Sequence, residues 1–193
     1  TLMININNAV QFQHLVWDRI LEEAQTIVDA TCGNGHDFLY LAQAAKEGAH
    51  LYAIDIQDQA IVNTKTIIGQ AKVKDSVSIT YIQGSHDQAL DDQIQEDYID
   101  LVVFNLGYLP GSDHALMTKP DLTIGALKAV LPKLSKQGVI TLVAYPGTAQ
   151  GLAEKEALEK FLVGLSQKEY NCCHWTPLNQ INQPPLIYMI QKR

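Results

Sequence analysis

Two glycines followed by a distant aspartate form the pattern in this sequence that points most directly to chemistry. The segment 29–37 reads DATCGNGHD and places Gly33 and Gly35 between an apolar run and a helical pattern. Glycines allow a tight strand-to-helix turn, and the N-terminus of the helix that follows offers unpaired N–H groups. Asp55 ends the next apolar run, 20 residues after Gly35, where a carboxylate can accept hydrogen bonds from both hydroxyls of a ribose. The pattern therefore predicts a nucleoside site.

The class of ligand follows from what this turn contains and lacks. Phe38 stands where the dinucleotide fingerprint G-x-G-x-x-G has its third glycine, and the phosphate-binding pattern G-x-x-x-x-G-K-[ST] is absent. Asp29 adds a carboxylate four residues before Gly33. These features favour a ligand with an amino-acid group and a nucleoside but no phosphate. Two alternatives stay open: a tight turn that holds no ligand, and Asp55 acting only as the cap of a helix that begins near Gln57.

Polar residues also follow the third and fourth apolar runs. Ser85 and His86 come after the third run, where they could lie beside an adenine; the alternative is a helix-capping Ser85 with a solvated His86. Asn105 and Tyr108 come after the fourth run, in the segment NLGYLPGSD. An asparagine oxygen can accept a hydrogen bond from a substrate amine and so aim its lone pair, while a tyrosine ring can stack on a planar ring. The alternative is a Gly/Pro turn that the asparagine stabilises.

The elements that must position these residues alternate along the chain. Short β-branched runs predict strands over 26–30, 50–55, 77–82, 99–104, 138–144, 168–174 and 186–191. Apolar stripes with helical spacing lie between several of them, and a further helix is predicted over 9–24. This alternation predicts an α/β fold with a mostly parallel sheet and helices on both faces. Ligands of such sheets bind beyond the carboxyl ends of the strands, where the residues above lie.

Composition limits the class of protein. The chain has 193 residues, 47% of them hydrophobic, and no internal repeat or linker, which predicts a single domain over 1–193. No apolar run approaches the ~20 residues that span a bilayer. Three cysteines without zinc-ligand spacing, and no signal-peptide pattern, favour a cytoplasmic protein without a metal site.

A globally basic domain would be the simplest evidence for nucleic-acid binding, and the net charge of −7 shows that this chain is not one. A local patch remains compatible with this charge, because affinity depends on where the cations lie. The candidate phosphate contacts are Lys119, Lys128, Lys133 and Lys136. Since local cations are few, a second subunit would be needed to complete a nucleic-acid surface, and we expect a homodimer.

Taken together, these motifs resemble class I S-adenosylmethionine-dependent methyltransferases. The resemblance is closest to a family of small bacterial proteins known as putative rRNA methylases. It rests on DATCGNGHD at 29–37, AIDIQ at 53–57, GSH at 84–86, NLGYLPG at 105–111 and NQPP at 182–185. One departure is NLGY in place of the commoner Asn-Pro-Pro-Tyr, because Leu106 lacks the rigidity of proline.

The resemblance implies a three-layer Rossmann-like fold of seven strands, the last antiparallel, with a long helix before the first strand. It implies S-adenosylmethionine as cofactor, with Asp55 on the ribose, and Asn105 and Tyr108 facing the accepting amine. The remaining cofactor-binding residues that we predict lie around the methionyl end and the nucleoside: Asp29, Gly33, Asn34, Gly35, His36, Asp37, Gln57, Ser85 and His86.

The family is associated with methylation of the aminomethyl group of 5-aminomethyl-2-thiouridine at the tRNA wobble position. The resemblance therefore implies a tRNA methyltransferase. Alternatives are methylation of rRNA or of a small molecule, and, further away, a nicotinamide-dependent oxidoreductase or a nucleotide-binding module. Asp113, His86 and His114 are alternative candidates for a general base, and the sequence does not distinguish among them.

Overall fold

The computed structural model describes residues 6–107 and 119–193. Its strands are β1 (Thr26–Asp29), β2 (His50–Asp55), β3 (Ser78–Gln83), β4 (Ile99–Asn105), β5 (Leu134–Ala144), β6 (Tyr170–Trp175) and β7 (Leu186–Lys192). Its α-helices are α1 (Ala9–Leu21), α2 (His36–Ala44), α3 (Asp58–Gln70), α4 (His86–Gln88), α5 (Pro120–Val130) and α6 (Ala149–Val163). A π-helical turn, Ala89–Gln93, continues α4, and a 3₁₀ turn, Leu131–Lys133, follows α5.

The strands form one sheet in the order β3-β2-β1-β4-β5-β7-β6. The pairs from β3 to β5 are all parallel, whereas β7 is antiparallel to both β5 and β6. This confirms the prediction of seven strands with the last antiparallel. Because β1 to β5 are parallel, their carboxyl ends lie along one edge of the sheet.

Helices cover both faces, because successive strand residues point to opposite sides. Ile27 and Leu101 pack in one cluster with Trp17, Phe38 and other residues of α1 to α3. Their neighbours Val28 and Val102 pack in the opposite cluster with side chains from α5 and α6. The central strands are therefore buried on both faces, as their continuous apolar runs predicted. The three-layer α/β prediction is confirmed.

Two boundaries differ from the predictions by three residues or more, whereas the other strand ends agree within two residues. Helix α1 ends at Leu21 rather than at 24. Strand β5 begins at Leu134 rather than at 138, and its register against β4 shifts between Ile99 and Leu101. Gln137 has a positive φ of 69° beside this shift. The irregularity interrupts the apolar pattern of the strand. The sequence pattern therefore did not predict the first residues of β5 as part of it.

Candidate active site

The polar residues that follow β1, β2 and β4 meet at the carboxyl edge of the sheet. Strand β1 lies between β2 and β4, so Asp29, Asp55 and Asn105 end three neighbouring strands. This is the edge where open α/β sheets bind their ligands. Three of the residues predicted from the sequence therefore end neighbouring strands at one edge of the sheet.

Asp55 ties the glycine turn to the end of β2. Its Oδ2 accepts the backbone N–H of Gly33 at 3.0 Å, and its Oδ1 accepts that of Gln57, also at 3.0 Å. Gln57 is the residue that precedes α3, so the cap-like contact left open above is present. Each carboxylate oxygen still has accepting capacity for a ribose hydroxyl. Burial raises the pKa of Asp55, although backbone hydrogen bonds oppose the shift.

The glycine turn has the left-handed backbone that its residues suggested. Gly33 and Gly35 have φ angles of 52° and 83°, and α2 begins directly after Gly35. A Cβ on Gly35 would lie 2.8 Å from the Thr64 backbone and from the Ile67 side chain, both on α3. Close packing of α3 against the turn therefore requires glycine at position 35, whatever the ligand.

A hydrogen-bonded chain of side chains crosses the site and holds Asn105. The Asn105 Nδ2 donates to Asp37 Oδ2 at 2.7 Å, and the Tyr145 hydroxyl donates to Asn105 Oδ1 at 3.1 Å. On the other side of Asp37, the Nε2 of His14 lies 2.7 Å from Oδ1. The Asn105 backbone N–H also donates to Thr31 Oγ1 at 2.6 Å. Both the backbone and the amide of Asn105 are thus fixed by neighbouring elements.

Three carboxyl groups share this edge. Asp29 is only 2% exposed, and its Oδ1 accepts the N–H of Thr31 at 3.1 Å. Burial raises the pKa of Asp29 well above its ordinary value, and the nearby charges of Asp37 and Asp55 add to the shift. An environment of this kind attracts a cationic ligand, which would relieve the repulsion among the carboxylates.

His86 is buried rather than solvated, which makes the alternative given above for it wrong. It is 8% exposed, its ring meets Phe104 edge-on at 5.6 Å, and its Nε2 has no hydrogen-bond partner among the described residues. Burial lowers the pKa of His86, against the opposing effects of Asp87 and of nearby carbonyls. Ser85 directs its hydroxyl to the Asp87 carboxylate rather than to a helix N–H. His86 is thus packed into the core beside Phe104 at the carboxyl end of β4.

The remaining predicted residues have simpler surroundings. Asn34 accepts a hydrogen bond from Asn63 at 2.9 Å, and His36 is exposed at the start of α2. Tyr108 lies outside the described residues, as do Asp113 and His114. Of the residues that the structure describes, no group of three or more His, Cys, Asp and Glu could hold a metal ion. No described helix is long and apolar enough to cross a membrane.

The predicted phosphate contacts do not converge on this edge. Lys133 donates to the backbone oxygens of Leu90 and Asp91 at 2.7 Å each, so its ammonium group is committed to the protein itself. Lys136 lies near the start of β5, at the edge of the sheet away from Asn105, about 20 Å along the strands. Both residues are unsuited to an RNA bound at the site. Lys119, which precedes α5, and Lys128, in the last turn of α5, remain candidates.

Sequence reasoning missed His14, Thr31 and Tyr145 as parts of the site. Tyr145 comes directly after β5, so the rule that marked the ends of β1 to β4 applies to it as well. His14 gives no such signal, because it lies within a helix that precedes the first strand.

The comparisons with known proteins agree with this geometry. The family model described as "Putative rRNA methylase" matches residues 51–191. The chain belongs to this family. It is 34% identical to the tRNA (mnm(5)s(2)U34)-methyltransferase, chloroplastic, of Arabidopsis thaliana, over 95% of this chain and 69% of that protein.

Solved structures of similar proteins share the fold across the whole chain. A putative rRNA methylase from Clostridium thermocellum is 37% identical, with a TM-score of 0.90 and coverage of 98% of this chain and 100% of the other. A putative methyltransferase from Streptococcus mutans, solved in complex with SAH, is 32% identical, with a TM-score of 0.83 and the same coverage. The family resemblance stated from the motifs is confirmed.

Proposed function

We propose that this protein is an S-adenosylmethionine-dependent methyltransferase that acts on the tRNA wobble uridine. The acceptor is the amine of 5-aminomethyl-2-thiouridine, and the product is 5-methylaminomethyl-2-thiouridine. The observation that carries the proposal is the 34% identity, over 95% of the chain, to a tRNA (mnm(5)s(2)U34)-methyltransferase. The Asn105 amide, held at the carboxyl edge by Asp37 and Tyr145, supplies the matching acceptor site.

The described residues fit the cofactor. Asp55 and Gln57 would hold the ribose, and the unpartnered nitrogen of buried His86, with Ser85 beside it, would contact the adenine. The methionyl end would lie along the glycine turn, among Asp29, Gly33, Asn34, Gly35, His36 and Asp37. The cofactor supplies a methyl group on a sulfonium cation, and the carboxylates of this edge suit that positive charge.

The chain must align the acceptor amine and keep it unprotonated. A free alkyl amine has a pKa of about 10, so it is mostly charged at neutral pH and lacks a reactive lone pair. Desolvation, together with the positive charge of the cofactor's sulfonium, would favour the neutral amine against the effect of the nearby carboxylates. Asn105 Oδ1 would accept one of its N–H groups, which fixes the direction of the lone pair. Transfer forms the N–C bond as the C–S bond breaks, and the product ammonium then loses a proton. Tyr108 is proposed to stack on the uracil ring.

The second candidate is an rRNA methyltransferase, which the description of the matching family favours. Mass spectrometry of digested tRNA and rRNA from a strain without this gene separates the two. Accumulation of 5-aminomethyl-2-thiouridine, reversed when the gene is restored, supports the tRNA reading. An unchanged wobble nucleoside together with a missing rRNA methyl mark overturns it.

How the protein holds RNA is proposed from charge. The described part of the carboxyl edge is acidic, and of the predicted phosphate contacts Lys119, before α5, and Lys128, in its last turn, remain candidates. We therefore propose that the single domain 1–193 forms a homodimer whose second subunit completes the RNA surface. Sedimentation of the protein with and without tRNA tests the dimer, and a monomer in both conditions contradicts it.

The proposed location follows from the cysteines. Free thiols at Cys32, Cys172 and Cys173 suit a reducing compartment, so we propose a cytoplasmic protein.

A further inference from the structure

Tyr145 lies beside the proposed acceptor residue, although neither the motifs nor the family resemblance assign it a role. In the parallel pairing of β4 with β5, Asn105 lies opposite Val143, two residues before Tyr145. The tyrosine hydroxyl reaches back to Asn105 Oδ1 at 3.1 Å, and Tyr145 as a whole is 37% exposed. Its hydroxyl therefore contacts the atom that would receive the acceptor amine.

The partners of Asn105 determine which way its amide points. A carboxylate accepts hydrogen bonds but cannot donate them, so Asp37 requires the amide nitrogen on its side, at 2.7 Å. The amide oxygen then faces Tyr145, whose hydroxyl must act as the donor. Burial, followed by the negative charge of Asp37, raises the pKa of Tyr145 to about 12. The phenol therefore remains a donor throughout the neutral pH range.

One lone pair of the amide oxygen remains for a substrate. A carbonyl oxygen accepts two hydrogen bonds, and Tyr145 occupies one of these positions. The other can receive one N–H of an amine, but it offers nothing to a ligand that lacks a donor. If the Tyr145 hydroxyl is removed, Asp37 still orients the nitrogen, but the oxygen loses the contact that fixes the tilt of the amide.

We propose that Tyr145 is a positioning residue of the acceptor site, which holds the Asn105 oxygen so that its second lone pair receives the amine N–H. This inference rests on the proposed function, since it assigns Asn105 to the acceptor. Tyr145 acts through Asn105 and takes no proton itself. It therefore affects the turnover rate rather than the affinity for the cofactor.

The test compares Tyr145→Phe with Tyr170→Phe as a matched control. Tyr170 also donates a phenol hydrogen bond, to the Leu131 oxygen at 3.2 Å, but it lies at the start of β6, away from the carboxyl edge. We expect Tyr145→Phe to lower kcat about tenfold, which is the effect of one hydrogen bond, with the Kd for S-adenosylmethionine unchanged. The control should stay within twofold of wild type. A wild-type kcat in Tyr145→Phe, with both variants folded, overturns the proposal.

A double-mutant cycle shows whether Tyr145 acts through Asn105. In an Asn105→Ala background, Tyr145→Phe should cause no further loss of rate, because the group that it positions is gone. Independent, multiplying losses would contradict the proposal. So would a shifted pH–rate profile in Tyr145→Phe, since that result would identify the phenol as a proton acceptor.

The rates are measured on the RNA that the wild-type protein methylates, which keeps the two hypotheses separate. Failure of the wild type on tRNA carrying the aminomethyl group overturns the proposed substrate. Whichever RNA the wild-type protein methylates, the ratio of the Tyr145→Phe rate to the wild-type rate on that RNA tests the positioning role of Tyr145.

Discussion

The backbone N–H of Gly33 donates to the Asp55 carboxylate at 3.0 Å, which joins the turn after β1 to the end of β2. The same carboxylate accepts the N–H of Gln57 at the start of α3. Asp55 therefore holds the shape of the turn while it still has accepting capacity for a ribose.

Asp55→Ala should weaken S-adenosylmethionine binding by about 1–3 kcal/mol, roughly 5- to 150-fold in Kd, because charge-assisted hydrogen bonds to the ribose are lost. Calorimetric titration measures the change. The control is Asp58→Ala, which removes an exposed carboxylate from the first turn of α3 and should leave the Kd within about twofold. Unchanged affinity in a folded Asp55→Ala variant would show that Asp55 only stabilises the turn.

Asn105→Ala should lower kcat by about 100-fold and leave the Kd for the cofactor nearly unchanged, because its proposed partner is the acceptor amine. Single-turnover kinetics with labelled methyl groups and calorimetry give the two quantities. Asn171→Ala is the control, since Asn171 lies on β6 and pairs with Arg193. Parallel losses of cofactor affinity and turnover in Asn105→Ala would place this residue in the cofactor site instead.

Gly35→Ala should lower the free energy of unfolding by about 2–4 kcal/mol, because the new Cβ meets the Thr64 backbone at 2.8 Å and the φ angle is 83°. Gly48→Ala is matched to it, since Gly48 has a φ of 78° but nothing within 4 Å of its added Cβ. The control should lose only about 1–2 kcal/mol from backbone strain. Urea denaturation measures both, and equal losses would refute the packing explanation.

Glu96 should make stability depend on pH at the end of the sheet away from the site. Burial raises the pKa of Glu96, but hydrogen bonds from Tyr52 at 2.6 Å and His50 at 2.5 Å outweigh it, and the net pKa is lowered. A lowered pKa stabilises the fold above the ordinary pKa of an unfolded glutamate, and this contribution is lost as the pH falls through the folded value.

Glu96→Gln should therefore be less stable than wild type at pH 7, and the difference should shrink at and below about pH 4. Thermal unfolding across this range measures it. Glu47→Gln, at an exposed position, should follow the wild-type curve. A difference between Glu96→Gln and wild type that stays constant with pH would argue against the assigned cause.

The strands and the ends that carry the candidate residues were predictable because they follow local patterns. Asp55 and Asn105 each end a continuous apolar run, which is a signal contained in a few neighbouring residues. The partners of Asn105 carry no local signal. Asp37 is 68 residues away and Tyr145 is 40 away, and only the order β1-β4-β5 brings the three together.

Two features of the site region could not be predicted, because each depends on a contact between residues that are distant in the sequence. Glycine at position 35 is explained by the approach of α3, which no pattern within 29–37 encodes. Lys133 resembles a free surface cation in the sequence, but the fold brings it to two backbone carbonyls. Sequence spacing identified which residue types reach the edge of the sheet, while tertiary packing determines what each of them contacts.

The segment 31–37, which runs from the turn after β1 into the first turn of α2, holds Asn105 at two points, through the Thr31 hydroxyl and the Asp37 carboxylate. The proposed cofactor site includes this same segment. The cofactor would therefore contact the segment directly, and the RNA would contact it through Asn105. A ligand that shifts the segment on binding also shifts Asn105, which makes the two binding equilibria interdependent. By thermodynamic reciprocity, whatever factor the cofactor applies to RNA affinity, the RNA must apply to cofactor affinity.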